Sequence, residues 1–311
     1  MNVLSLVTNR YAPFYVNQTV ELESRGINID HVNPRKQTED HEEQQQISRS
    51  YVDYLPLFSR PIRKAFKEYD LVHANNGKTA PFALAQPHRP IVLTLWGSDL
   101  AGKYGSVTKR CAQFCDEVIV RNEEMCRELG RDAHVIPAGI DMEQFKPHPQ
   151  LDAPRSVGWD PSKKHVLFPY PPSRPVKNYP LAERVVERVD EELPEKVCLQ
   201  TVYGVDHDDV STYMNAADAL LLTSHREGSP NSVKEAMACN LPVVATDVGD
   251  VQERLCEVEP SFVCTTEDEL VAALCEVLER NERSNGREHI RDLSIDQMGE
   301  QILDVYKHAL E

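Results

Sequence analysis

Short apolar runs bounded by polar turn residues alternate with segments of helical period along the chain. In the first half, residues 3–7, 29–32, 71–73, 91–95, 118–120 and 134–136 read as strands. Helical patterns separate most of them, which predicts a parallel sheet with helices on both faces. Residues 146–160 hold Pro147, Pro149, Pro154 and Gly158 with little apolar periodicity, and read as an interdomain linker. The strand pattern restarts at 165–168 and continues through 197–203, 219–222, 242–245 and 261–264. Helices are expected over 181–190, 210–216, 232–239 and 251–255, and amphipathic segments at 267–280 and 295–311 close the chain. The fold class is therefore α/β: two doubly wound Rossmann-like domains facing a cleft, at 1–150 and 151–295, with a closing C-terminal helix at 296–311. Ligands of such folds bind at the carboxyl ends of the strands.

Composition narrows the class. The 311 residues carry 34 Lys and Arg against 50 Asp and Glu, a net charge of −16, and 41% are hydrophobic. That suffices for packed cores and excludes disordered or collagen-like chains. A field of this sign repels phosphate backbones, so no nucleic-acid partner is expected. The acid is unevenly placed: residues 1–150 carry 18 basic and 19 acidic side chains, residues 151–311 carry 16 and 31. Such a surface suits a halophilic setting or ordinary acidic solubility equally. The first eight residues lack a basic region before their apolar run and read as a buried strand, not a signal peptide. With no apolar run near ~18 residues, the expected location is cytoplasmic, with the inner membrane face as an option. The eight cysteines form no CxxC pair and read as buried free thiols, and no metal site is expected at Cys111 and Cys115. GxGxxG and the P-loop pattern are both absent, which excludes the usual dinucleotide and P-loop enzymes.

The chemistry concentrates in residues 219–249, ALLLTSHREGSPNSVKEAMACNLPVVATDVG. A strand runs into a loop, and a helix begins near Ser229-Pro230, a good N-cap followed by a residue suited to the first turn. The free amides of that turn and the helix dipole make an anion site. Glu227 precedes the helix and Glu235 lies within it, with seven residues between them. Carboxylates accept hydrogen bonds from vicinal hydroxyls, as on a sugar or ribose. A phosphate between two carboxylates needs positive charge, which Arg174 and Lys177 can supply. Asp206-His-Asp-Asp209 mimics a metal motif but precedes a helix and reads as a capping turn.

The segment Glu227-Gly-Ser-Pro-Asn-Ser-Val-Lys-Glu235-Ala-Met-Ala-Cys-Asn-Leu-Pro-Val-Val-Ala-Thr resembles the E-x7-E signature of the family 4 glycosyltransferases, also described as glycosyl transferases group 1. These are retaining enzymes of the GT-B fold. The likeness extends over the C-terminal half, and Asp70-Leu-Val-His73, residues 90–99 and Ile136-Pro-Ala-Gly-Ile-Asp141 are similar to the family's N-terminal landmarks. The resemblance implies transfer of a sugar from a nucleotide-diphosphate donor to a glycan or lipid-linked acceptor. Donor binding would fall to the C-terminal domain and acceptor binding to the N-terminal one. Glu235 would hold the ribose hydroxyls and Glu227 would face the donor sugar. Residues Gly228, Ser229, Pro230, Asn231 and Ser232 would meet sugar and phosphate. Arg174 and Lys177 would neutralise the leaving diphosphate, with Tyr203 and Gly204 close to the base. A front-face attack would let the leaving phosphate take the acceptor proton, so neither a protein base nor a metal or other cofactor is expected.

Two positions depart from the family pattern. Residues 11–18 replace the usual Gly-rich loop after the first strand, and Trp96 replaces a common His before Gly97-Ser98-Asp99. Trp96 can stack on a sugar or fill the core, and Asp99 can contact sugar or acceptor or cap the next helix. Residues 55–67 combine apolar and basic side chains, which suits either peripheral membrane contact or a solvated basic helix face. A sugar-nucleotide epimerase and a non-catalytic nucleotide-sugar-binding subunit are the competing classes.

Overall fold

The computed structural model describes residues 1–36, 51–64, 68–101, 104–148 and 153–311. It divides into two compact units, Met1–Gly139 with Ile295–Glu311, and Ile140–Ser294. All eleven expected strands form, each within two residues of the expected bounds.

The first unit holds a six-stranded parallel sheet of β1 (Asn2–Leu6), β2 (Asn28–Val32), β3 (Leu71–Ala74), β4 (Ile91–Thr94), β5 (Glu117–Val120) and β6 (His134–Val135), in the order β2-β1-β3-β4-β5-β6. Side chains alternate between its faces, as a strand requires. Leu4, Val72, Ile91, Leu93 and Val118 enter one core, while Val3, Leu71, Val92 and Ile119 enter the other. Both faces are apolar because both are covered.

The second core recruits the far end of the chain. Met298, Ile302, Val305 and Tyr306 of the helix Ile295–Leu310 lie within it, and Arg25 bridges to Asp296 at 2.6 Å. Tyr306 Oη lies 2.6 Å from His73 Nδ1, beneath the sheet. The closing helix is thus a layer of the first unit.

The second unit holds β7 (Lys164–Phe168), β8 (Val197–Thr201), β9 (Ala219–Leu222), β10 (Val243–Thr246) and β11 (Phe262–Cys264), all parallel, in the order β11-β10-β9-β7-β8. Leu167, Leu220, Leu222 and Val243 face one core, and Val166, Phe168, Leu221 and Val244 the other. The Pro-rich stretch expected as a linker belongs largely to this unit. Phe145 is 1% exposed in its core, Asn215 Nδ2 donates to Lys146 O at 3.0 Å, and His148 N donates to Asn215 Oδ1 at 2.8 Å. Residues 146 and 148 are thus tied to Asn215 instead of forming a free hinge; residues 149–152 lie outside the described ones.

The helix Leu55–Lys64 forms with Leu57 buried and Leu55 and Phe58 about half exposed. Residues 65–67 of the apolar-basic segment lie outside the described residues. Among the described residues, no helix is long and apolar enough to cross a membrane, and no group of three or more His, Cys, Asp or Glu side chains could hold a metal ion. All eight cysteines are free; Cys115, Cys239 and Cys264 are buried, Cys111, Cys126, Cys198 and Cys275 only partly so, and Cys256 is exposed, against the expectation of burial.

Candidate active site

In the second sheet the strand order reverses between β7 and β9, and in folds of this class ligands bind at the carboxyl ends of the strands flanking such a point. Here those loops are stitched together. After β7 the chain turns through Pro175–Lys177, and Asn178 takes a φ of 54° before the helix Tyr179–Glu192 begins. Thr223 Oγ1, one residue past β9, donates to the carbonyls of Lys177 and Asn178 at 3.0 and 3.1 Å. His225 N donates to Val176 O at 2.9 Å.

That backbone frame fixes Lys177, whose side chain is 6% exposed. Its Nζ lies 2.5 Å from Glu227 Oε1 and 3.5 Å from the centre of the Tyr170 ring. Ser224 Oγ donates to the same Glu227 oxygen at 2.6 Å. Burial draws the ammonium pKa down, and the Glu227 carboxylate opposes that shift. Arg174 is exposed, with its guanidinium carbon 5.9 Å from the Tyr170 ring centre.

Beyond Glu227, the Gly228 carbonyl accepts from Asp250 N at 3.1 Å. Gly249 passes so close, with a φ of +60°, that a Cβ there would stand 2.3 Å from Gly228 O. Ser229 Oγ is buried with no hydrogen-bond partner. Pro230 occupies the N-cap of the helix Asn231–Ala238, leaving the first-turn amides at this end of the unit. Ser232 Oγ shares a hydrogen bond with Tyr170 Oη.

Glu235 lies on the same helix, 8% exposed, with no hydrogen-bond donor on its carboxylate among the described residues. Burial pushes its pKa up to about 7, and adjacent Lys234 pulls against it. Glu227, Glu235, Lys177 and the helix start are therefore gathered around Tyr170, whose own pKa is raised by burial and by both carboxylate charges. Tyr203 and Gly204 follow β8 on a neighbouring loop; Tyr203 is half exposed and Gly204 has a φ of 69°. Asp206 occupies the N-cap position of the helix His207–Ala216, although its side chain makes no capping bond.

The candidates of the first unit form a separate cluster. Trp96 precedes the short helix Gly97–Ala101, and Asp99 Oδ2 accepts the Trp96 N–H at 3.0 Å. That is half a capping box. Burial raises the Asp99 pKa, opposed by backbone bonds from Trp96 and Gly77. The indole Nε1 donates to Asn75 O at 3.0 Å. Arg121 stands 3.7 Å over the indole centre, and the Phe14 ring centre lies 4.1 Å away. Trp96 and Gly97 are both partly buried.

Sequence reasoning passed over Tyr170, Ser224 and Gly249. Tyr170 and Gly249 act through loop-to-loop contacts and Ser224 through Glu227 of its own loop; the available signal was a lone aromatic two residues beyond a strand.

Comparison with known proteins accords with this geometry. The model of the family described as Glycosyltransferase Family 4 matches residues 15–144, and that described as Glycosyl transferases group 1 matches residues 178–280. A Bacillus subtilis protein assigned to teichuronic acid biosynthesis as a glycosyltransferase, TuaC, is 28% identical over 211 residues. The match spans 58% of this chain and 54% of TuaC, so about half of the relative's length is represented. Among solved structures, sucrose-phosphate synthase from Thermosynechococcus elongatus superposes with a TM-score of 0.76 at 17% identity, covering 99% of this chain and 98% of that one. HepE from Anabaena, in complex with UDP and glucose, gives 0.73 at 16% identity, covering 99% and 100%. Two glycosyltransferase family models thus match the chain in succession, and the chain shares the GT-B fold of these solved structures from end to end.

Proposed function

We propose that the protein transfers a sugar from a nucleotide-diphosphate donor to a glycan or lipid-linked acceptor with retention of configuration, as a hexosyltransferase. The observation that carries this reading is the pairing of Lys177 with Glu227 beside the buried Glu235 at one helix start. A ribose diol would supply two hydrogen-bond donors to the Glu235 carboxylate. Glu227 faces the donor sugar, Lys177 and Arg174 meet the leaving diphosphate, and residues Gly228 to Ser232 offer amides and hydroxyls to sugar and phosphate. Tyr203 and Gly204 flank the base. The cationic side chains and helix amides supply the positive charge of the step, so no metal or other cofactor is proposed. The leaving phosphate takes the acceptor proton as the new glycosidic bond forms on the face the diphosphate leaves.

The acceptor falls to the first unit, with Asp99, Trp96 and Gly97 as its contacts. Teichuronic acid biosynthesis in TuaC supports a glycan acceptor, and UDP in HepE supports a nucleotide donor. A cytoplasmic protein making peripheral membrane contact through the helix Leu55–Lys64 fits a lipid-linked variant of the same acceptor.

Thermal unfolding with UDP, GDP, ADP, dTDP and CMP tests the donor site. A ligand at ~100 times its Kd adds about 2.7 kcal/mol of stability. The expected result is a shift with one nucleotide that disappears in Glu235→Ala. Folded protein that responds to none of them would sink the reading.

A further inference from the structure

We infer that Tyr170 is a positioning residue of this site: its ring aims the Lys177 ammonium and its hydroxyl ties that ammonium to the start of the helix Asn231–Ala238, so that the protein favours nucleoside diphosphates over monophosphates. The inference rests on the donor reading above, in which Lys177 meets the diphosphate.

Four contacts carry it. Tyr170 N donates to Phe168 O at 2.9 Å, so the residue leaves β7 in a tight turn. Its ring packs edge-on against Phe168 with centres 5.6 Å apart, which fixes the plane. Lys177 Nζ sits 3.5 Å above the ring centre. Tyr170 Oη is hydrogen-bonded to Ser232 Oγ in the first turn of the helix. One side chain therefore spans the cation of one loop and the anion-binding amides of another.

The ring matters because Glu227 competes for the same cation. The ammonium already contacts that carboxylate at 2.5 Å, and with no second attraction it would turn all of its charge toward Glu227. The negative face of an aromatic ring attracts the ammonium from a second direction, most strongly where water is excluded. Burial and the nearby carboxylates also keep the phenol protonated, so it holds its bond to Ser232 across the working pH range. Leucine at this position removes both ring and tether, whereas phenylalanine removes the tether alone.

Calorimetric titration of wild type, Tyr170→Phe and Tyr170→Leu with UDP and UMP, GDP and GMP, and ADP and AMP tests this. Wild type should bind one diphosphate at least about tenfold more tightly than its monophosphate. That ratio should fall about threefold in Tyr170→Phe, as for one weak hydrogen bond, and about tenfold in Tyr170→Leu. Monophosphate affinity should stay within about threefold throughout, which a general loss of structure would not allow. A wild-type ratio retained in Tyr170→Phe overturns the tether even if Tyr170→Leu fails to fold. A ratio retained in folded Tyr170→Leu overturns the whole inference. Wild type that binds nucleotides without preferring diphosphates overturns the donor role of Lys177 itself, and that is read before any variant.

Discussion

Lys177 and Glu227 form an ion pair with Nζ and Oε1 2.5 Å apart, and their side chains are only 6% and 14% exposed. A pair this buried is held by mutual need: removing one partner strands the other charge in a poorly solvated place. Lys177→Met and Glu227→Leu should each destabilise the protein by about 3 kcal/mol in urea unfolding. The double variant should cost less than about 1.5 kcal/mol, because no uncompensated charge remains. Additive single costs would mean that the two side chains are not energetically coupled. All three variants should lose nucleotide binding, so stability and binding separate only in the double.

Glu235 gives the site a pH dependence whose sign is fixed by burial. Its pKa rises from 4.5 to about 7, so between those values the folded protein holds a proton that the unfolded chain has released. Stability from this residue is thus full below about pH 4.5 and declines as pH rises through 7, by up to about 3 kcal/mol. Glu235→Gln should therefore raise the Tm at pH 8 and leave it nearly unchanged at pH 4. Ribose hydroxyls donate to the charged form, so nucleotide affinity should rise with pH across the same window. A pH-independent affinity in calorimetry would count against Glu235 as the ribose contact.

Gly249 approaches Gly228 more closely than any side chain permits. Its φ is +60° and a Cβ would stand 2.3 Å from the Gly228 carbonyl oxygen. Gly249→Ala should cost about 2 kcal/mol or more for the left-handed backbone and the clash together. The loop carrying Glu227 would be displaced, so nucleotide affinity should fall further than thermal stability. Equal affinity in wild type and Gly249→Ala would show that the Gly228 loop does not shape the site.

The strands were readable because both faces of each sheet are covered, which leaves runs such as Leu220-Leu221-Leu222 apolar on alternate sides. The unit boundary was not readable. Pro147, Pro149 and Pro154 mimic a linker, while the bonds from Asn215 that hold residues 146 and 148 join positions far apart in sequence. The carboxylates of the site stood out by spacing within one segment. Tyr170 did not, because its partners Lys177 and Ser232 meet it only once β7 and β9 lie side by side. The neighbours of Trp96, Phe14 and Arg121, likewise join it from distant parts of the chain.

The same dependence on distant partners governs His73. It is fully enclosed, with Nδ1 2.6 Å from Tyr306 Oη and Nε2 2.7 Å from Thr94 Oγ1. Burial, and secondarily Arg121, lowers its pKa from 6.5 to about 3. The unfolded chain therefore gains a proton near pH 6.5 that the folded protein refuses, and stability falls as pH drops below that value. At pH 5 the loss from this group is about 2 kcal/mol. Tyr306→Phe removes one bond and should cost about 1 kcal/mol at neutral pH, whereas Tyr306→Ala also empties a core position and should cost about 3–5 kcal/mol. His73→Gln has no titrating group, so its denaturation midpoint should lie lower at pH 7 yet change less between pH 7 and pH 5 than that of wild type. If wild type and His73→Gln lose stability in parallel on acidification, the acid sensitivity of the first unit arises elsewhere than under the closing helix.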